Sequence, residues 1–145
     1  MDVLILITTA VFGVFLGAQL AEAMLLVPYW KSLSADQFHR FYSKYGDAIH
    51  RFFAPLTIAS TVLPIILLLL AIYLSDNRLV YLIVLLFCVL MFFGSFFVYF
   101  KKANQQFKDG SLKASQLSGA LKSWGRWHWM RVCFESIAFI ILLVL

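Results

Sequence analysis

Trp124, His128, Arg131 and Glu135 are spaced four, three and four apart. On a helix that spacing stacks them turn upon turn along one face. The face carries an aromatic ring, an ionisable imidazole, a permanent cation and a carboxylate. The planar fork of Arg131 suits a carboxylate or an enolate oxygen, and a direct pair with Glu135 is within reach. Glu135 lies about 10 Å beyond His128 along such a helix. Elsewhere Gln19 and Glu22 are three apart and share a face, His50 stands beside Arg51, and Asn104 follows a long apolar run.

These residues sit within or at the ends of runs that otherwise read as plain membrane helices. A charged side chain at membrane depth costs about 2.5–3.5 kcal/mol on insertion scales, and usually has both a partner and a job. Glu22, His50, His128, Arg131 and Glu135 therefore point to one shared polar site in a helical bundle. Two readings stay open. One is a small pocket near one leaflet, with Gln19, Glu22, His50, Asn104 and Trp124 on its walls. The other is a set of interhelical salt bridges, such as Glu22 with Arg131, that only hold the bundle together.

The elements that must position these groups follow from composition. The 145 residues are 63% hydrophobic and 13% charged, with a mean hydropathy of +0.89. A soluble domain is nearer half apolar and a quarter charged, and one of this size has too little interior for the excess. The surplus must face lipid. Four continuous runs carry it, over about 3–27, 52–74, 79–100 and 129–145. Each is close to the roughly 20 residues that span a bilayer as a helix. None alternates as a barrel strand would. The expected fold is all-α, a single transmembrane domain over 1–145 built as a four-helix bundle. Asp2 stands where a signal peptide would be basic, so the first run is read as a retained span.

Connections carry their own signals. Pro28 is expected to end span one, with Tyr29 and Trp30 at headgroup level. Ser34 with Gln37 three residues on reads as a helix start. Phe38, Phe41, Tyr42 and Tyr45 then recur at helical spacing against a polar face. That is an amphipathic cytoplasmic helix between spans 1 and 2, running on through His50 into span two. Ser75-Asp76-Asn77 and Asp109-Gly110 read as turns. Gly13 and Gly17 would admit a neighbouring helix closely. Gly119 and Gly125 weaken a helical pattern that resumes at Leu112. Cys88 and Cys133 share no metal or disulfide spacing and read as buried apolar residues.

Eleven of the twelve Lys and Arg fall on one side of an even-span topology; only Arg78 does not. The positive-inside rule then places both termini outside and both long connections in the cytoplasm. With no sorting motif, a bacterial inner membrane is the expected location. The net charge of +5 is distributed as a topology signal and not as a nucleic-acid groove. Membrane lipid and a lipophilic small molecule are the expected partners, with a homodimer also open. Phosphate-binding loops, nucleophile elbows, paired-His zinc motifs and Cys-x-x-Cys are absent.

Three features together resemble a known family. They are Pro28-Tyr29-Trp30 after a Gly-bearing first span, Asn104 after span three, and Trp124-x-x-x-His128-x-x-Arg131 leading into the last span. This resembles the anthrone-oxygenase-like family of small four-helix integral membrane proteins. Ala103 stands where family members often carry a proline before the Asn. The resemblance implies an oxidoreductase of the oxygenase type that turns lipophilic aromatic, anthrone- or quinone-like substrates over without metal or flavin. In that setting His128 would be the base and Arg131 would stabilise the anion; Glu135, on the same helix face, is the third catalytic candidate. An anthrone has an acidic methylene, and its enolate can pass an electron to dioxygen. A base titrating near neutrality and a fixed cation suit that step. Two other functions compete. A haem could sit between His50 and His128, as haem does in helical bundles. A non-catalytic lipid-binding or accessory role fits the apolar surface equally.

Overall fold

Asp2–Ser32 forms α1, Ala35–Tyr73 α2, Leu79–Lys108 α3 and Ala114–Val144 α4. This is a computed structural model and it describes residues 1–145. All four helices are long and apolar enough to cross a membrane, and there are no strands. Large apolar side chains on the outer faces, Leu6, Val80 and Leu143 among them, are exposed. Such a surface suits lipid and not water.

The helices are longer than the apolar runs. The 39 residues of α2 reach about 58 Å at the standard rise, against about 30 Å of hydrocarbon. The excess lies at one end. Asp76 and Arg78 close a tight turn between α2 and α3 near Met1 and Leu145. At the opposite, basic end the helices run on past the apolar windows. The expected amphipathic helix runs on through His50 into span two, forming the first half of α2. Ser34 starts it with a capping box: Gln37 N–H donates to Ser34 Oγ (3.3 Å) and Ser34 N–H to Gln37 Oε1 (2.9 Å). Pro55 and Pro64 both lie inside the continuous helix.

Several local expectations need correction. Pro28 does not end α1, which continues to Ser32. Proline withholds a backbone donor and crowds the preceding turn. Just before it, Glu22–Leu26 widens into a π turn, which makes room. Trp30 is 1% exposed and packs inside the bundle core, whereas Tyr29 beside it is 48% exposed. A Cβ on Gly13 would lie 3.3 Å from the Phe139 ring, whereas Gly17 faces open space. Only Gly13 admits a neighbour. Gly125 is buried, and a Cβ there would meet Val27 and Lys31 at 3.4 and 3.3 Å. It lets α4 approach α1 rather than merely weakening its helix. Cys88 is buried, but Cys133 is exposed on the outer face. Gly110 takes a left-handed φ of +60° at the Asp109-Gly110 turn.

The buried stripes show how the helices are registered. On α4 the inward positions Leu117, Leu121, Trp124, His128, Arg131, Glu135, Ala138 and Leu142 follow an unbroken three-four alternation. On α1 the stripe runs Ile5, Thr8, Phe12, Phe15, Gln19, Glu22, then jumps one residue to Val27 and Trp30. On α3 it runs Leu82, Leu85, Val89, Phe92, Ser95, then jumps to Phe100, Ala103 and Phe107. Each jump falls at a π turn, Glu22–Leu26 and Phe96–Phe100. A π turn inserts one residue, so residues eight apart come onto one face as if seven apart.

Two apolar clusters result. One, toward the termini, is mostly aliphatic, with Leu67, Leu82, Leu85, Val89 and Leu142 around Phe12. The other, toward the basic end, is aromatic, with Trp30, Phe38, Tyr42, Phe100, Phe107 and Trp124. Between them lies a layer of buried polar residues: Gln19, Glu22, His128 and Glu135.

Candidate functional site

Arg131 occupies a core position of α4, about 20 Å from the terminal end of that helix at the standard rise. Its guanidinium carbon lies 4.0 Å from the centre of the Phe92 ring and 4.6 Å from that of Phe100. Cation–π attraction of this kind is strongest where water is excluded. Phe92 and Phe100 are eight residues apart and would diverge by about 80° on an unbroken α-helix. The π turn between them brings both rings to the same cation.

No carboxylate lies within ion-pair distance of Arg131, and its Nε has no hydrogen-bond partner. The expected pairs with Glu22 and Glu135 are therefore not formed. Glu22 lies instead with one carboxylate oxygen 3.7 Å from His128 Nε2. Glu135 is 2% exposed and its Oε1 is unpartnered. The stacking rings hold Arg131 to the α3 side, away from both carboxylates.

The free guanidinium faces a cavity of about 300 Å³, at the small end of ligand-site volumes. Gln19, Glu22, His50, Asn104, Trp124 and Arg131 all line it. These are the five expected binding residues together with one of the three expected catalytic ones. Four helices contribute to it. The rest of its wall is largely aromatic, with Phe53, Phe92, Phe96 and Trp30 among the lining residues.

Several wall groups are pre-set for a ligand. Trp124 Nε1–H donates to Asn104 Oδ1 at 2.9 Å. That bond fixes the amide, leaving the Asn104 NH2 as a donor. Trp30 Nε1 and Gln19 Oε1 are buried and have no partner. Buried polar atoms are rarely left so. Both atoms are closed off from the cavity space, so the donors the cavity offers are the outer guanidinium nitrogens of Arg131 and the Asn104 amide.

His128 and Glu135 are not on this wall. His128 is fully buried and stacks under Trp124, with ring centroids 5.0 Å apart and planes 20° from parallel. Its Nε2 lies 2.9 Å from the Gln19 carbonyl oxygen. A carbonyl only accepts, so Nε2 carries the proton and the unpartnered Nδ1 carries the lone pair. This bond joins α4 to α1 one turn before Glu22. His128 therefore positions the Gln19–Glu22 segment rather than reaching into the cavity. A haem held between His50 and His128 would need both rings on one cavity, and only His50 lines it.

Sequence reasoning missed Trp30, Phe92 and Phe100 as parts of the site. The one-residue jump in the buried stripe of α3 brings Phe100 under Phe92, and the jump in α1 carries its stripe on to Val27 and Trp30. Comparison of the chain with protein-family models, with curated proteins and with solved structures finds no match.

Proposed function

We propose that this is a membrane-embedded oxidoreductase that binds a flat, lipophilic, oxygen-bearing aromatic and oxidises it with dioxygen, using no bound cofactor. The observation that carries the reading is Arg131, a cation inside the bundle with no carboxylate in ion-pair contact and an open face toward an aromatic-walled cavity. An isolated buried charge is expensive unless something completes it. A phenolate, enolate or quinone oxygen would do so. The aromatic walls suit a ring, and the Asn104 amide offers a further donor to ring oxygens.

Glu22 is the candidate base, because it is the carboxylate on the cavity wall. With an anthrone, Glu22 takes a methylene proton and the electron pair moves to the ring oxygen beside Arg131. The enolate passes one electron to dioxygen, and the radical pair joins as a peroxide. Loss of water leaves the second carbonyl. One CH2 and one O2 thus become one C=O and one H2O. Gln19 and His128 hold Glu22 in place, and His50 stands at the mouth of the cavity. The resemblance to anthrone-oxygenase-like proteins agrees in reaction class but not in the base. The basic end is proposed to face the cytoplasm of a bacterial inner membrane, supported by eleven of twelve Lys and Arg lying toward it.

The test is turnover of anthrone by protein in lipid nanodiscs under air, followed by oxygen uptake and by appearance of the diketone. Glu22→Gln is expected to lower the rate at least about 100-fold, as loss of a general base does, while ring binding persists. Wild-type discs no faster than empty discs would contradict the catalytic reading. Ring binding without turnover would make this a binding protein.

A further inference from the structure

We infer that the ligand of this cavity carries a hydrocarbon tail, and that the groove between α1 and the first half of α2 holds it. The inference rests on the cavity binding an oxygen-bearing ring, as proposed above. The groove has a volume of about 740 Å³, more than twice that of the cavity. Eleven of its twelve lining residues are hydrophobic, and the exception is Glu22. Glu22, Ile49 and Phe53 line both spaces. The two are therefore adjoining compartments, one polar and aromatic, the other apolar, with the candidate base at their junction.

The groove exists because small residues face it. Ala18 and Ala21 of α1 and Ala48 of α2 line it, on helices otherwise rich in Leu, Ile and Phe. It opens on the lipid-facing side, where Leu25 and Phe52 are 70% and 56% exposed. A lipid-soluble molecule can slide in sideways from the bilayer without crossing water. Apart from Glu22, the only polar atoms on the lining side chains are the hydroxyls of Tyr29 and Tyr45, so the part of the ligand lying beside Ala18, Ala21, Leu25, Ala48 and Phe52 has no polar group to match. An alkyl or isoprenoid chain meets that description. The ring at Arg131 and the chain in the groove would then be one amphiphile, bent at Glu22.

Two measurements test this in nanodiscs. Trp30 and Trp124 line the cavity, so quenching of tryptophan fluorescence reports a bound quinone. The probes are a hydroxynaphthoquinone and its decyl-substituted counterpart. Ala48→Phe and, on the facing wall, Ala21→Phe are expected to weaken the decyl probe about ten-fold and the tail-less probe less than two-fold. Because each probe is compared across variants in one bilayer, partitioning cancels. In wild-type protein, a decyl probe bearing a photoreactive diazirine at mid-chain should label peptides spanning Leu25 or Phe52, and excess tail-less probe should suppress the labelling. Equal effects on both probes, or labelling scattered over the lipid-facing surface, overturn the tail assignment while leaving ring binding intact. Failure of the tail-less probe to quench wild-type protein overturns both readings.

Discussion

Arg78 closes one end of this bundle and Arg131 sits in its middle, and the two do opposite things. Arg78 is fully engaged. Its Nε and Nη2 donate to the two oxygens of Asp76, each at 2.9 Å, and its Nη1 donates to Asp2 at 2.8 Å. Nη1 also reaches the Leu145 carbonyl. It thus ties the α2–α3 turn to both ends of the chain. Arg131 has no carboxylate partner and rests on two aromatic rings. The packing around the two differs in the same sense. Near Arg78 the core is aliphatic and its stripes unbroken. Near Arg131 it is aromatic, two helices open into π turns, and a cavity remains. A saturated charge closes a structure. An unsaturated one, held in place by rings that cannot neutralise it, leaves an electrostatic demand for a ligand.

The largest effect that sharpens this contrast is expected in the aliphatic half. Leu85 is fully buried there, and Leu85→Ala should lower stability by about 2–3 kcal/mol. That is toward the low end for buried leucine, because the unfolded helices remain in lipid and only packing is lost. Reversible unfolding in mixed micelles measures it, and ring affinity should not change. If affinity falls too, the two halves are not independent. Next comes His128→Phe, which keeps the stack on Trp124 but removes the bond to the Gln19 carbonyl. Stability should fall by about 1 kcal/mol and turnover about ten-fold, since Glu22 is no longer held. A turnover loss as large as that of Glu22→Gln would return His128 to a direct role in the chemistry.

The smallest effect concerns pH at the closed end. Hydrogen bonds from Arg78 pull the Asp76 carboxyl down to about 2. A depressed carboxyl stabilises the folded state above its unfolded value, near 3.9. That contribution is lost as pH falls through about 2. Asp76 lies in a surface turn with its side chain 14% exposed, and screening by nearby solvent keeps the change modest. Between pH 4 and pH 2 the turn at Ser75-Asp76-Asn77 should gain proteolytic sensitivity, and Asp76→Asn should show that sensitivity already at neutral pH. Identical digestion of both proteins throughout would detach the turn from the Arg78 lock.

The helices were legible in the sequence because lipid demands continuous apolar runs and because Ser34 with Gln37 writes a start signal. The site was legible in its membership. Polar residues at Gln19, Glu22, Asn104 and Arg131 stand out against hydrocarbon, and they do line one cavity. Their partners were not legible. Spacing on one helix says that Arg131 and Glu135 can pair, but rings on another helix decide otherwise. Spacing likewise put His128 on the inward face without telling cavity wall from packed interior. Pro28 read as a stop because the π turn that accommodates it leaves only a one-residue slip in the stripe. That slip sets the whole geometry around Arg131.

The most direct test of that geometry is a titration of a hydroxynaphthoquinone anion into nanodisc-embedded protein, read by tryptophan quenching, with Arg131→Gln and Arg78→Gln compared against the unaltered chain. Arg131→Gln should weaken binding at least about ten-fold, equivalent to about 1.4 kcal/mol, and Arg78→Gln should leave it unchanged. Equal affinities in all three proteins would mean that the unpaired cation does not bind the ring oxygen, and the proposed site would fall with it.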